Sequence, residues 1–453
     1  MYQQTGCPGT GVAIGMFGRS RQISQKTGKK RRFLPIVSIV LAICYIGVVV
    51  WYFTRGFGDG GAVPDNADYG SLSSSAPDSD AEAPDPYPPD TDEQIPPGDE
   101  NTADSNEAAA AASKAIKVRG LYIAAWYAGM SDRMNHYIEI CDSTEINTLV
   151  IDIKDDEGQI TFVTDSSGIS PACVNIIPDI REVMTTLKEH GIYTIARIVC
   201  FKDPFWSSAH PELAIHNENG DLWKDNNGST WLDPYRTGAW EYLTDVSMEA
   251  ARIGFDEVQL DYVRFPTDGK ISAIDYGSAG TRKSKTEAIS DFADHVRAAL
   301  ADAGVKLSAD VFAIIAISDL DAESIGQDPK LLLNSTDYLS PMVYPSHFSN
   351  KNQNGIGQII NDVLYEAPDL EPYGVVYNIL HEFNRRLTPG SGEAGIRPYL
   401  QDFTASYLGS GFYQSYTAAQ VLEQIQAVYD AGFEEWILWN QFSSFSEEAF
   451  QKN

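Results

Sequence analysis

The chain has 453 residues and carries 63 Asp and Glu against 33 Lys and Arg, a formal net charge of −30. That balance argues against nucleic acid as a partner, because phosphate binding needs clustered Lys and Arg. The five cysteines (Cys7, Cys44, Cys141, Cys173 and Cys200) have no metal-type spacing and leave an odd number in the globular part, so free thiols are expected rather than a disulfide framework.

Residues 1–32 form a basic tail with Arg19, Arg21, Lys26, Lys29, Lys30, Arg31 and Arg32. Residues 33–54 carry no charge and are dominated by Ile, Val and Leu. About 22 residues at 1.5 Å each span about 30 Å of hydrocarbon, so a single transmembrane anchor is expected there. The flanking cations put the N-terminus in the cytoplasm and the bulk of the chain outside the cell. Trp51, Tyr52 and Phe53 suit the far interface. A cleaved signal peptide is the rival, but the run is long for one and no small-x-small site follows it. Residues 55–113 are acidic and rich in Pro, Ser and Ala, with no Lys or Arg from Gly56 to Ser113. Such a stretch buries too little apolar area to offset its ordering entropy, which predicts a disordered linker holding residues 114–453 away from the membrane.

Beyond Lys114, short β-branched runs alternate with helical patterns. The predicted strands are Val118–Tyr127, Asn147–Lys154, Tyr193–Phe201, Glu257–Phe265, Lys306–Ala313, Tyr338–Tyr344, Arg397–Phe403 and Glu435–Phe442. Gly191, Gly254, Gly304 and Gly432 fall two to five residues ahead of a strand, where glycine ends a helix. Ile180, Val183, Met184 and Leu187, and again Val421, Ile425 and Val428, recur at helical spacing. Strands alternating with helices imply a parallel sheet, and eight such units predict an α/β fold, a (β/α)8 TIM barrel. An open doubly wound sheet would show a Gly-rich phosphate loop after its first strand, and none follows Val118–Tyr127.

Barrel active sites collect at the C-terminal strand ends. Alternation turns Val150, Asp152 and Lys154 inward on the second strand and Leu149, Ile151 and Ile153 toward the helices. Arg197, inside the apolar third strand, needs a partner, and Asp152 is the obvious one. On the fourth strand Gln259 and Asp261 face inward, Leu260 and Tyr262 outward, with Arg264 just beyond. Asp310 closes the fifth strand and Tyr344 the sixth, with His347 after it; on the seventh, alternation leaves open whether Gln401 or Asp402 points in. The aromatic residues Trp126, Tyr127, Trp206, Trp223, Trp231, Tyr344 and Trp439 fall at strand ends or in the long third loop, and part of this set is expected to line a cleft.

At these residues the chain resembles the "putative glycosyl hydrolase domain" family of bacterial envelope proteins. The matching segments are Arg119-Gly120-Leu121-Tyr122, Val150-Ile151-Asp152-Ile153-Lys154-Asp155, Trp231-Leu232-Asp233-Pro234, Gln259-Leu260-Asp261-Tyr262-Val263-Arg264-Phe265-Pro266, Ser340-Pro341-Met342-Val343-Tyr344-Pro345-Ser346-His347 and Leu400-Gln401-Asp402-Phe403. The resemblance extends to the α-amylase and melibiase barrels. It implies a carboxylate nucleophile at Asp261, with Asp310 and Asp402 at the places of the α-amylase acid and its stabilising aspartate. An α-amylase has Arg two residues before the nucleophile, where this chain has Gln259, and its acid is Glu rather than Asp.

Paired carboxylates at strand ends are what glycoside hydrolysis requires. The expectation is a membrane-anchored extracellular glycoside hydrolase acting on a cell-envelope or exopolysaccharide glycan. Asp261, Asp310 and Asp402 would be catalytic, and Asp152, Lys154, Arg197, Arg264, Tyr344, His347, Trp126 and Trp439 would bind substrate. No cofactor or metal is expected, since the seven histidines form no metal-spaced pair. The alternative is a non-catalytic glycan-binding barrel serving as a cell-wall scaffold. A metal-dependent deacetylase stands behind both, for want of a His/Asp cluster.

Overall fold

The computed structural model describes residues 116–386 and 395–452. The basic tail, the apolar span 33–54 and the linker 55–113 lie outside the described residues, and among those described no helix is long and apolar enough to cross a membrane.

Eight parallel strands close into a barrel. They are β1 (Arg119–Ile123), β2 (Thr148–Lys154), β3 (Tyr193–Val199), β4 (Glu257–Asp261), β5 (Lys306–Phe312), β6 (Tyr338–Val343), β7 (Tyr399–Gln401) and β8 (Trp436–Trp439). Neighbours in sequence are neighbours in space, and β8 returns to β1, with Arg119 beside Trp436. The enclosing helices include α1 (Ser131–Ser143), α2 (Ile180–Glu189), α3 (Thr237–Ile253), α4 (Lys285–Leu300), α5 (Pro329–Ser335), α6 (Pro372–Arg386) and α7 (Ala418–Asp430). The expected (β/α)8 barrel is therefore present. At the end of α3, Gly254 takes a φ of 108°, and Gly304 a φ of 67°, a left-handed turn that an L side chain resists.

Several predicted strands are longer than the real ones. The first ends at Ile123, and Trp126 and Tyr127 enter a short helix, Ala125–Ala128. The fourth stops at Asp261, because Tyr262 has a φ of 48° and breaks the pleat. The seventh shrinks to Tyr399–Gln401 after Pro398, which has no N–H to give the ladder.

The two faces of each strand separate as alternation requires. Leu149, Ile151, Ile153 and Leu260 join the large core between sheet and helices, while Val150, Ile195, Tyr399 and Ile437 fill the barrel. At the N-terminal end of the interior the fully buried Arg397 donates from Nη1 to Glu257 at 2.8 and 3.0 Å and from Nε to Glu435 at 2.9 Å, with Tyr338 under its guanidinium at 3.8 Å. One planar fork serves two carboxylates, one on β4 and one just ahead of β8, which a lysine cannot do. Arg397→Lys is expected to lower stability by about 2–3 kcal/mol, read as a shifted urea midpoint.

Above that layer Tyr399 donates to Gln259 Oε1 at 2.5 Å, and Gln259 donates to Ser340 at 3.3 Å. This polar tier ties β4, β6 and β7 together directly beneath the residues of the cleft.

Candidate active site

A cleft opens at the C-terminal ends of the strands, holding about 1350 Å³ of space with its solvent-filled mouth included. Asp261 and Asp310 both line it, as do Arg197, Arg264, Tyr344, His347 and Trp439.

Arg197 organises the floor. It rises from β3 between Asp152 on β2 and Asp261 on β4, its register neighbours being Asp152 and Gln259. Nη1 donates to Asp152 Oδ1 at 2.5 Å, and Nε and Nη2 donate to Asp261 Oδ2 at 3.0 and 2.5 Å. Burial works against the guanidinium charge, but the two aspartates outweigh it and raise Arg197 further above its usual range. Tyr122 hydrogen-bonds the other Asp152 oxygen. The expected Arg197–Asp152 pair is thus half of a three-residue clamp. With Gln259 two residues before Asp261, the guanidinium beside this carboxylate comes from the adjacent strand.

The remaining Asp261 oxygen accepts the backbone N–H of Tyr262 at 2.6 Å. The left-handed turn at Tyr262 aims that N–H back at the carboxylate and brings the tyrosine ring to the cleft wall, against the outward direction expected for it. A non-glycine residue in that conformation costs on the order of 1–3 kcal/mol, which the surrounding contacts must offset.

Asp310 is held differently. It is almost fully buried, and its Oδ1 has no hydrogen-bond partner. Burial first, and the charge of Asp261 second, push its carboxyl well above the usual carboxylate range. Its backbone is fixed by Gln327, which donates to the carbonyls of Asp310 (3.1 Å) and Val263 (3.3 Å) and accepts from Phe312 N–H (3.0 Å). One buried amide therefore sets the spacing between the ends of β4 and β5. The floor thus combines a carboxylate clamped by a guanidinium with a carboxyl group driven toward its protonated form, the asymmetry that acid–base chemistry uses.

The side walls are aromatic. Trp439 packs with Tyr122, Tyr344 and Phe403 at centroid distances of 5.9, 5.7 and 5.3 Å. His347 meets the edge of Tyr344, and burial pushes its imidazole down to about 4, so it is neutral near pH 7. Trp231 lines the opposite wall.

Three sequence-based assignments are corrected. Lys154 does not face the barrel: a bulge between Asp152 and Lys154 breaks the alternation, and the fully buried ammonium pairs with Asp203 at 2.9 Å and donates to Val199 O at 2.7 Å. Asp402 leaves the cleft on the outward side of β7, where Ser446 N–H and Oγ donate to its two oxygens at 2.7 and 2.8 Å; Gln401 takes the inward side. Trp126 is 65% exposed on its short helix and does not line the cleft. Trp206 and Trp223 are also packed away, Trp206 against Tyr242 and Trp223 on the carbonyl of Lys270. Asp152 lies beneath the floor and acts on Arg197. Residues that sequence reasoning passed over include Tyr399, two positions after Arg397 on the same inward face, and Asp225, Asp268 and Gln327. The last three come from loops and a helix connection and carry no periodic signal. Cys141, Cys173 and Cys200 are free thiols, as expected.

A family model described as a "putative glycosyl hydrolase domain" matches residues 120–445. Among solved structures, a hypothetical protein from Ruminiclostridium thermocellum is 39% identical over 42% of this chain and 97% of its own, with a TM-score of 0.39. The PgaB (BpsB) glycoside hydrolase domain from Bordetella bronchiseptica is 14% identical over 72% of this chain and 95% of its own, with a TM-score of 0.53. The spore cortex-lytic enzyme SleL of Bacillus megaterium is 10% identical over 74% of each chain, with a TM-score of 0.43. No curated protein matches the chain. The barrel is the fold of glycan-acting hydrolases.

Proposed function

Since the chain belongs to the "putative glycosyl hydrolase domain" family, we propose that it is a glycoside hydrolase in which Asp310 is the general acid and Asp261 the nucleophile or base. The observation that carries this is the contrast between the two carboxyl groups of one cleft. Asp261 has Arg197 on one oxygen and a backbone N–H on the other. Asp310 has an oxygen with no partner and a carboxyl raised by burial and by Asp261. Glycosidic cleavage needs both states at once: a proton for the leaving oxygen, and an anion for C1 or for a water beside it.

In this mechanism Asp310 transfers its proton to the glycosidic oxygen as the bond to C1 lengthens. Asp261 faces the positive charge that develops on the sugar, and Arg197 keeps its carboxylate in place. Trp439, the partly exposed ring of the aromatic wall, offers a face to the sugar C–H groups, with Tyr344 packed beside it. Gln327 sets the distance between acid and anion without touching substrate. Gln327→Leu is expected to lower kcat by roughly tenfold to a hundredfold with KM little changed, because the reacting groups drift while the aromatic walls remain. A change confined to KM in steady-state assays would refute that role.

The substrate class proposed is a cell-envelope or exopolysaccharide glycan. Support comes from the uncharged span 33–54 behind a basic tail, which suits an N-terminus in the cytoplasm and a barrel outside. The acidic 55–113 segment suits a tether. The test is release of new reducing ends from purified envelope polysaccharides. Release that depends on both Asp261 and Asp310 supports the reading, and no release from any glycan removes it.

A further inference from the structure

Two cations of the cleft take no part in the proposed chemistry: Lys202 pairs with Asp156 at 2.8 Å, and Arg264 has no ion-pair partner among the described residues. It lies just beyond β4, 8% exposed, and lines the cleft. Three rings surround its guanidinium: Phe312 at 4.7 Å, Tyr262 at 5.0 Å and Trp231 at 5.1 Å. Nη1 donates to Phe265 O at 3.1 Å and reaches Thr267 Oγ1 at 3.5 Å. Among the described residues, Nε and Nη2 have no hydrogen-bond partner and no carboxylate forms an ion pair with the group. Neither nitrogen is sealed from the cleft.

The nearby acids are committed elsewhere. Asp225 Oδ1 accepts the N–H groups of Asn227 and Ser229 at 2.9 Å each, and its Oδ2 accepts Trp231 Nε1 at 3.1 Å. Asp261 belongs to Arg197 and Tyr262. Asp268 makes no ion pair with Arg264, and burial, followed by the charge of Asp225, pushes its carboxyl up. A guanidinium this buried is expensive to leave unpaired. Ring faces compensate part of its charge but accept none of its in-plane N–H groups.

We propose that the cleft takes an acidic glycan, and that a sugar-borne carboxylate completes Arg264 by accepting from its free N–H groups. The proposal rests on the glycoside hydrolase reading and deepens it. A guanidinium edge matches a planar carboxylate in both spacing and charge. The carboxylate can be that of a uronic acid or of a lactyl ether on an amino sugar; both present the same planar group.

The test measures glycan binding by the full chain carrying Asp310→Asn, which keeps the ligand intact. The probes are polyuronates, a muramic-acid glycan, each of these after chemical reduction of its carboxyl groups, a glycerol-phosphate wall polymer and chitosan oligomers. A carboxylated probe is expected to bind about tenfold to a hundredfold more tightly than its reduced partner. That preference should shrink with added salt and disappear in Arg264→Gln. The probe that shows it, uronate or muramate, identifies the source. Equal binding of carboxylated and reduced forms leaves a glycan-binding cleft and overturns this proposal alone, as does preference for the phosphate polymer or for chitosan. Binding of no glycan removes the proposal and the functional reading together. If Arg264→Gln fails to fold, the native comparison of paired probes still decides. If it folds and keeps the preference, Arg264 only braces the three rings and the proposal falls.

Discussion

Asp261→Asn is expected to lower glycan hydrolysis by about four orders of magnitude, the scale on which losing a reacting nucleophile acts. The substitution keeps the shape of the side chain and removes its charge. Arg197 then keeps only Asp152 as a carboxyl partner. Because the guanidinium is still paired and Tyr122 still bonds Asp152, the fold should survive, and a circular dichroism spectrum with a thermal scan checks this. The measurement is reducing-end release per hour by equal amounts of native and variant protein. Equal rates would keep the enzyme and discard Asp261. With an activated aryl glycoside, Asp261→Ala, which vacates the space of the carboxylate, should also recover turnover with added azide if the enzyme is retaining, giving a glycosyl azide of inverted configuration. No azide product from an otherwise active enzyme would point instead to Asp261 as a base acting on water.

Asp310→Asn is expected to lower the rate on natural glycans by about 10² to 10⁴, the range for loss of a general acid, and far less on substrates whose leaving group departs without a proton. The pH profile separates this role from a structural one. In the native protein the acid must be protonated, so activity falls as pH rises through the raised value of Asp310. In the variant that alkaline limb should vanish. A limb that stays in place assigns the proton to another group.

The same residue predicts an opposite effect on stability. Its folded value lies above the unfolded one, so the folded state holds a proton that the unfolded chain releases. Stability from this group is complete below the unfolded value of about 3.9 and is lost as pH rises toward the folded value. Asp310→Asn should therefore unfold at a higher temperature than the native chain near neutral pH, with the gap closing toward pH 4. A buried oxygen with no partner at the floor of the cleft is tolerated here at the expense of stability.

How much of this was legible beforehand follows from what each signal measures. Alternation with a period of two is a local property of a pleated strand, so the inward set Val150, Asp152, Gln259 and Asp261 could be read directly, and so could the outward Leu149, Ile151, Ile153 and Leu260. A glycine ahead of a strand ends its helix for reasons contained in its own backbone, and Gly254 and Gly304 do so. Eight repeats of the pair then left a parallel barrel as the simplest closure. Alternation failed wherever tertiary contacts override the local repeat. A bulge turned Lys154 onto Asp203, and a left-handed residue brought Tyr262 into the cleft; on β7, where alternation had left the choice open, the inward Tyr399 puts Gln401 inside and Asp402 outside.

The chemistry of the site lies between strands and could not be read along one of them. Arg197 was visible as a charge in an apolar run, but its hold on Asp261 depends on the lateral register of β3 against β4. Asp310 was visible as a strand-end carboxylate; that it is desolvated at the cleft floor beside the charge of Asp261 depends on closure of the ring. The sequence by itself determined the order of elements and which side chains face inward, because those follow from spacing along the chain. Only the tertiary structure decided which carboxyl is clamped and which is starved of partners, because desolvation and pairing belong to neighbours distant in sequence.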